Sequence, residues 1–89
     1  MIDAKGKYII PGGIDPHVHM ELEFMGTVTV DDFNIGSRAS VAGGTTSFID
    51  FIIPNEKGLI AGYDDWRSRA DPKVHANYTL HCCITHWNK

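Results

Sequence analysis

The stretch from Thr45 to Ile53 constrains the fold more than any other part of this chain. It is β-branched, aromatic and aliphatic, with Asp50 as its one charge, and Pro54-Asn55 closes it. Such a run suits a strand buried on both faces, the kind found in parallel sheets covered by helices. Helical patterns flank it. Thr29-Val30-Asp31-Asp32 has the form of a capping box, with Thr29 as N-cap and Asp32 reaching back. A segment rich in small residues follows to Val41-Ala42, where Gly43-Gly44 supplies a stop, and predicts a helix with a close-packed face. Beyond the strand, Leu59, Tyr63, Trp66, Arg67 and Ala70 recur at helical spacing until Asp71-Pro72.

Strand patterns bracket both helices. Ile14 to Met20 alternates strictly, with Ile14, Pro16, Val18 and Met20 apolar and Asp15, His17 and His19 polar. Tyr78 to Thr85 returns to strand character. The order is β-α-β-α-β, with connections long enough for parallel crossovers. Three parallel strands and two helices would leave exposed edges beside a very apolar centre. A complete (β/α)₈ barrel takes about 250 residues, and this chain has 89. The expected fold is therefore α/β, the opening third of such a barrel, cut short.

Composition narrows the function classes. The apolar fraction of 43% is that of a globular protein. The net charge is −3 and the basic residues are scattered, which argues against a nucleic-acid or polybasic membrane surface. No apolar run approaches the roughly 18 residues needed to cross a bilayer. Met1-Ile2-Asp3-Ala4-Lys5 lacks the apolar core of a signal peptide. Cys82 and Cys83 are neighbours and a poor pair for a structural disulfide. These features favour a reducing, cytoplasmic location.

The chemistry centres on Asp15-Pro16-His17-Val18-His19. Residues two apart on a strand share a face, so both imidazoles can converge on one cation. Neutral imidazole nitrogen binds zinc at about 2.0–2.1 Å. Asp15 would share that face and could orient a ligand by hydrogen bonding. From spacing alone, two unconnected surface or core histidines explain the pair equally well. Against that stand three polar groups in a row opposite an apolar face, a Pro11-Gly12-Gly13 joint before them and a long loop after them.

The run Pro11-Gly12-Gly13-Ile14-Asp15-Pro16-His17-Val18-His19 resembles the first-strand metal motif of the amidohydrolase superfamily. Phe24-Met25-Gly26, Asp31-Asp32-Phe33, Gly43-Gly44-Thr45-Thr46, Ile49-Asp50-Phe51, Trp66-Arg67, Ala70-Asp71-Pro72-Lys73 and Tyr78-Thr79-Leu80-His81 are similar to blocks of dihydropyrimidinases and hydantoinases. The resemblance implies an enzyme of pyrimidine degradation that hydrolyses dihydropyrimidines or hydantoins to N-carbamoyl amino acids. It implies two divalent ions, usually zinc, with His17 and His19 on one of them and a carbamylated lysine bridging both. That lysine would come from the next strand, so Lys89 sits too early, and two further histidines and a catalytic aspartate would also lie beyond this chain. Residues 1–11 resemble the last strand of a small β-sandwich leading into the barrel, and 12–89 the first third of the barrel itself. No catalytic residue is expected within the chain, nor turnover by it alone. A small-molecule substrate and a homotetrameric full-length protein are implied, without nucleic-acid or membrane partners.

The same resemblance places Leu22, Phe24 and Met25 in a loop shaping the pocket for the ring substituent, although ordinary loop packing accounts for them equally. Glu23 stands where relatives often have proline. Asp50 is expected to hydrogen-bond to neighbouring backbone or side chains, in a structural role ahead of a catalytic one, His81 to be an interior histidine, and His75 and His86 to be strand-end residues. Cys82 and Cys83 are expected as small apolar fillers (binding of a soft metal is the lesser alternative), and Trp66 and Tyr63 as core. Three other readings compete. Collapsin response mediator proteins resemble dihydropyrimidinases but have lost the metal ligands that this chain keeps. Dihydroorotases place an arginine after the His pair, where Met20 and Glu21 stand, and allantoinase is a further cyclic amidohydrolase. A free-standing metal module fails on its exposed edges and incomplete ligand set.

Overall fold

The structure is a computed structural model that describes residues 1–54 and 56–85. Asn55 and the stretch 86–89, which includes His86 and Lys89, lie outside the described residues. The elements are β1 (Gly13–Val18), β2 (Glu23–Phe24), β3 (Thr27–Val28), α1 (Phe33–Ala42), β4 (Thr45–Ile52), α2 (Leu59–Ala70) and β5 (Asn77–Cys82). β4 is the central strand of a three-stranded sheet ordered β1-β4-β5. Its pairing with β1 runs from Gly13↔Thr45 to Val18↔Asp50, and with β5 from Ser47↔Asn77 to Ile52↔Cys82, both parallel. The chain is thus α/β with a parallel sheet.

Alternation along β4 sorts its side chains between two environments. Phe48, Asp50 and Ile52 are buried, whereas Ser47, Ile49 and Phe51 on the opposite face are only partly covered. Phe48 and Ile52 join Met20, Phe33, Trp66 and Ala70 in one core beneath the helices. The expected burial of this strand on both faces is therefore corrected: the described helices pack on one face only. α1 meets the sheet through Phe33, Gly36 and Ser37, the small-residue face expected for it. A Cβ at Gly36 would come within 2.9 Å of Met20 Sδ. α2 buries Gly62, Trp66 and Ala70. Tyr63 is not core as expected: it is 44% exposed, and its hydroxyl accepts from Arg67 Nη1 at 3.2 Å.

The start of α1 also differs from expectation. Asp32 is the N-cap, with extended backbone and a carboxylate that accepts from Ile35 N–H at 2.7 Å. Thr29 instead ties off the preceding loop, accepting from Leu22 N–H at 2.9 Å and donating its own N–H to Leu22 carbonyl. Both residue types suit a cap, but α1 begins at Phe33, so Asp32 stands directly before it and Thr29 lies in the preceding loop. At the other end Gly43 is the C-cap and Gly44 takes φ 89°, as the paired glycines implied.

Residues 1–12 form no helix or strand, and Tyr8, Ile9 and Ile10 are exposed. An extended segment without a strand beside it has no ladder to join. β5 ends at Cys82, short of the expected Thr85. No helix among the described residues is long and apolar enough to cross a membrane.

Candidate metal centre

The two histidines are placed by β1 and the turn that follows it. β1 is irregular: Asp15 partners Phe48 and Val18 partners Asp50, so β1 carries one residue more than β4 over this interval. The strict alternation expected from Ile14 to Met20 is corrected by that bulge. Partners in a ladder share a face, so Asp15 sits with Phe48 on the helix side, and Ile14, opposite Ser47, is exposed on the other. Asp15 lines a cleft with Val18, Met20, Gly36 and Ser40. Its carboxylate accepts from the backbone N–H of His17 at 3.1 Å, so it orders the main chain of His17 rather than its ring.

From Val18 onward the period of two holds, and His17 and His19 both stand on the open face. Their Nε2 atoms lie 3.1 Å apart, with the rings nearly perpendicular at 82°. Two nitrogens bound at about 2.0–2.1 Å to one cation, with an angle near 100° between them, would be separated by about that distance. The pair therefore fits a shared divalent ion. Both rings are exposed. Among the described residues no cluster of three or more His, Cys, Asp or Glu forms that could hold an ion.

Beneath the histidines lies Phe51. Its ring centroid is 4.3 Å from that of His17, 5.3 Å from His19 and 5.0 Å from His81. Phe51 and His81 are partners in the β4–β5 ladder, which brings His81 onto the same face. His81 is exposed there, correcting its expected interior place, because no layer covers this face among the described residues. The part Phe51 plays went unread in the sequence, although its offset of one from the charged Asp50 carried the signal.

Asp50 behaves as expected of a buried carboxylate with backbone partners. It is 1% exposed, and accepts from Met20 N–H at 3.0 Å and Phe51 N–H at 2.6 Å. Burial pushes its carboxyl above the usual aspartate range, against the pull of those two bonds and of His19 and Arg69. It thus links the backbone on either side of the histidine face. His75 precedes β5, with Nε2 2.9 Å from Asn34 Oδ1 and its N–H donating to Ser37 Oγ. Cys82 is exposed and Cys83 half-buried, both as free thiols, so the filler reading fails for Cys82.

Leu22, Phe24 and Met25 lie in the loop after His19. Leu22 packs against the core, whereas Phe24 and Met25 are exposed at the tip of the β2–β3 hairpin. Met25 takes φ 50° and Gly26 φ 80° to make that turn.

A parallel βαβ sheet thus carries a convergent His pair at the end of its first strand. No family model matches the sequence. Dihydropyrimidinase 1 of Caenorhabditis elegans is 57% identical over 98% of this chain, and the dihydropyrimidinase of Dictyostelium discoideum 53% identical over all of it. The chain spans 18% of the length of each. Among solved structures, D-hydantoinase (dihydropyrimidinase) from Thermus sp. superimposes with a TM-score of 0.90 and 40% identity, over 99% of this chain and 19% of its own. The chain is thus similar along nearly its whole length to dihydropyrimidinases and a hydantoinase, and covers only 18–19% of these relatives.

Proposed function

We propose that this chain is the opening part of a (β/α)₈ metal-dependent amidohydrolase barrel. The complete protein would open dihydropyrimidines or hydantoins to N-carbamoyl amino acids in pyrimidine degradation. The observation that carries the reading is the 3.1 Å approach of His17 Nε2 and His19 Nε2 on a chain so similar to dihydropyrimidinases. Two divalent ions, zinc foremost, would polarise the ring amide and lower the pKa of water.

His17 and His19 would hold one ion through Nε2, and Phe51 would support both rings and keep water from beneath them. The bridging carbamylated lysine, further histidines and a catalytic aspartate belong, on this reading, to sequence outside these residues. Leu22, Phe24 and Met25 would shape the space for the ring substituent, since their loop leaves directly from His19. Residues 1–11 would lead in from a small β-sandwich and 12–89 would open the barrel. A homotetramer in the cytoplasm completes the proposal, the free thiols Cys82 and Cys83 being compatible with a reducing compartment. A non-catalytic adaptor has no need of a convergent His pair, which makes that reading the weaker one.

The test is a chimera in which residues 1–89 replace the matching part of the Thermus D-hydantoinase. It is expected to hydrolyse hydantoin, and to lose more than about a hundredfold in rate on His17→Ala or His19→Ala, the scale on which a main electrostatic contributor is lost. A folded chimera that keeps its rate through both substitutions would refute the reading. The chain alone is expected to show no turnover.

A further inference from the structure

His17 lies in the bulge of β1 and His19 follows Val18, the last residue of that strand; neither is paired with β4 in the ladder. His17 is bracketed by the paired residues Asp15 and Val18, whereas the place of His19 depends on the residues after it. Met20 N–H is bonded to Asp50 Oδ2 at 3.0 Å. Glu21 is anchored at more points. Its N–H donates to Asp31 carbonyl at 3.0 Å, and its own carbonyl accepts from Arg69 Nη1 at 3.3 Å. Its carboxylate Oε1 accepts from Phe33 N–H, at the start of α1, at 3.2 Å and from the ammonium of Lys73, just beyond α2. That side chain is only 15% exposed.

The backbone of Glu21 takes φ 51°, the left-handed region that residues other than glycine rarely enter. Such a conformation costs about 1–3 kcal/mol and persists only where its surroundings over-determine it. Here the surroundings are both helices and the loop. We infer that Glu21, clamped by Lys73 and by the N-terminus of α1, is a positioning residue that sets His19 against His17. This inference rests on the metal-site reading above. It assigns the convergence of the two Nε2 atoms to an ion pair on the helix side of the sheet, at the point where β1 ends.

The probe is Zn(II) alone, titrated into the metal-free chimera that carries residues 1–89 and followed by the imidazole ¹H–¹⁵N resonances of His17 and His19, with unfolding in urea measured on the same samples. Glu21→Gly deletes the carboxylate while relieving the positive φ, so its effect on zinc and its effect on stability part company. Lys73→Met removes the partner charge and Lys73→Arg keeps it. Glu21→Gly and Lys73→Met are expected to weaken zinc binding about tenfold after correction for the folded fraction, the low end of losses seen when a ligand's supporting groups are removed. The His19 resonance should then no longer shift in step with that of His17. Lys73→Arg should restore affinity to within about twofold of the parent. Arg67→Met, which breaks an exposed helix pair elsewhere, should leave affinity unchanged. Unaltered zinc affinity in folded Glu21→Gly and Lys73→Met, or an equal loss in Arg67→Met, overturns the positioning role. If His17→Ala and His19→Ala also leave zinc binding intact, the metal site itself fails, and the inference with it.

Discussion

The two faces of one sheet behave as different materials. Under the helices, Phe33, Phe48, Ile52 and Ala70 are almost wholly removed from water, and the one charge among them, Asp50, has both carboxylate oxygens bonded to backbone N–H groups. On the other face His17, His19, Phe51 and His81 touch ring to ring in the open. The strand supplying both environments is the same β4, and Asp50 and Phe51 are adjacent. Burial of apolar area holds one face together, while the other carries imidazole nitrogens that converge within 3.1 Å of each other. Stability and chemistry are thus separated by the pleat of a single strand.

Removing Phe48 would break that comparison most forcefully. Phe48→Ala is expected to cost about 3–5 kcal/mol, the usual range for deleting a buried aromatic ring. Phe51→Ala, only one face away in kind, should cost less than half as much in urea unfolding while disturbing both histidine resonances. Equal losses would mean that the open face is as much a core as the covered one. Next in size comes Asp50→Ala, which strands the N–H groups of Met20 and Phe51 and should cost about 1–3 kcal/mol. His17→Ala should change stability by no more than about 0.5 kcal/mol, as for surface substitutions, yet abolish the paired response to zinc. A large stability loss from His17→Ala would give the imidazole a structural role instead.

The smallest expected effect is a pH dependence on the covered side. Tyr78 stacks near Phe48 and donates its hydroxyl proton to Asp71. Burial, and then that bond, push the Tyr78 phenol up to about 12, while the same bond, followed by Arg67, holds the Asp71 carboxyl below the usual aspartate range. The tyrosine contribution is fully present below its ordinary value of 10.0 and is lost as pH rises through about 12. The aspartate contribution is present above 3.8 and is lost as pH falls through its lowered value. The stability difference between the parent chain and Tyr78→Phe should therefore be flat at neutral pH and shrink at both extremes. A difference unchanged across that span would remove the hydrogen bond from the account.

Much of this was legible in residue order. Periodicity located both helices and all three strands of the parallel sheet, because spacing of 3.6 or 2 follows from backbone geometry alone. The ends were less legible. Thr29 and Asp32 both have capping chemistry, and only the contact of Thr29 with Leu22 decided between them. Tyr63 has the spacing of a core residue but looks outward to Arg67, since Gly62 takes the close contact with β4 and Pro54.

The candidate site divides in the same way. That His17 and His19 share a face was legible in the sequence, since side chains two apart on a regular extended stretch point alike. That Asp15 does not share it was decided by the bulge against β4, a register no local pattern encodes. Phe51 and His81 came to the histidines through ladder pairing across residues far apart in the chain. Glu21 could not be weighed from its neighbours in sequence either, because its partners Phe33, Arg69 and Lys73 arrive only when both helices dock. Local geometry is a property of the chain's own dihedral angles and can be read in order. Which face is covered, and which loop is held, depends on contacts that exist only after the distant segments meet.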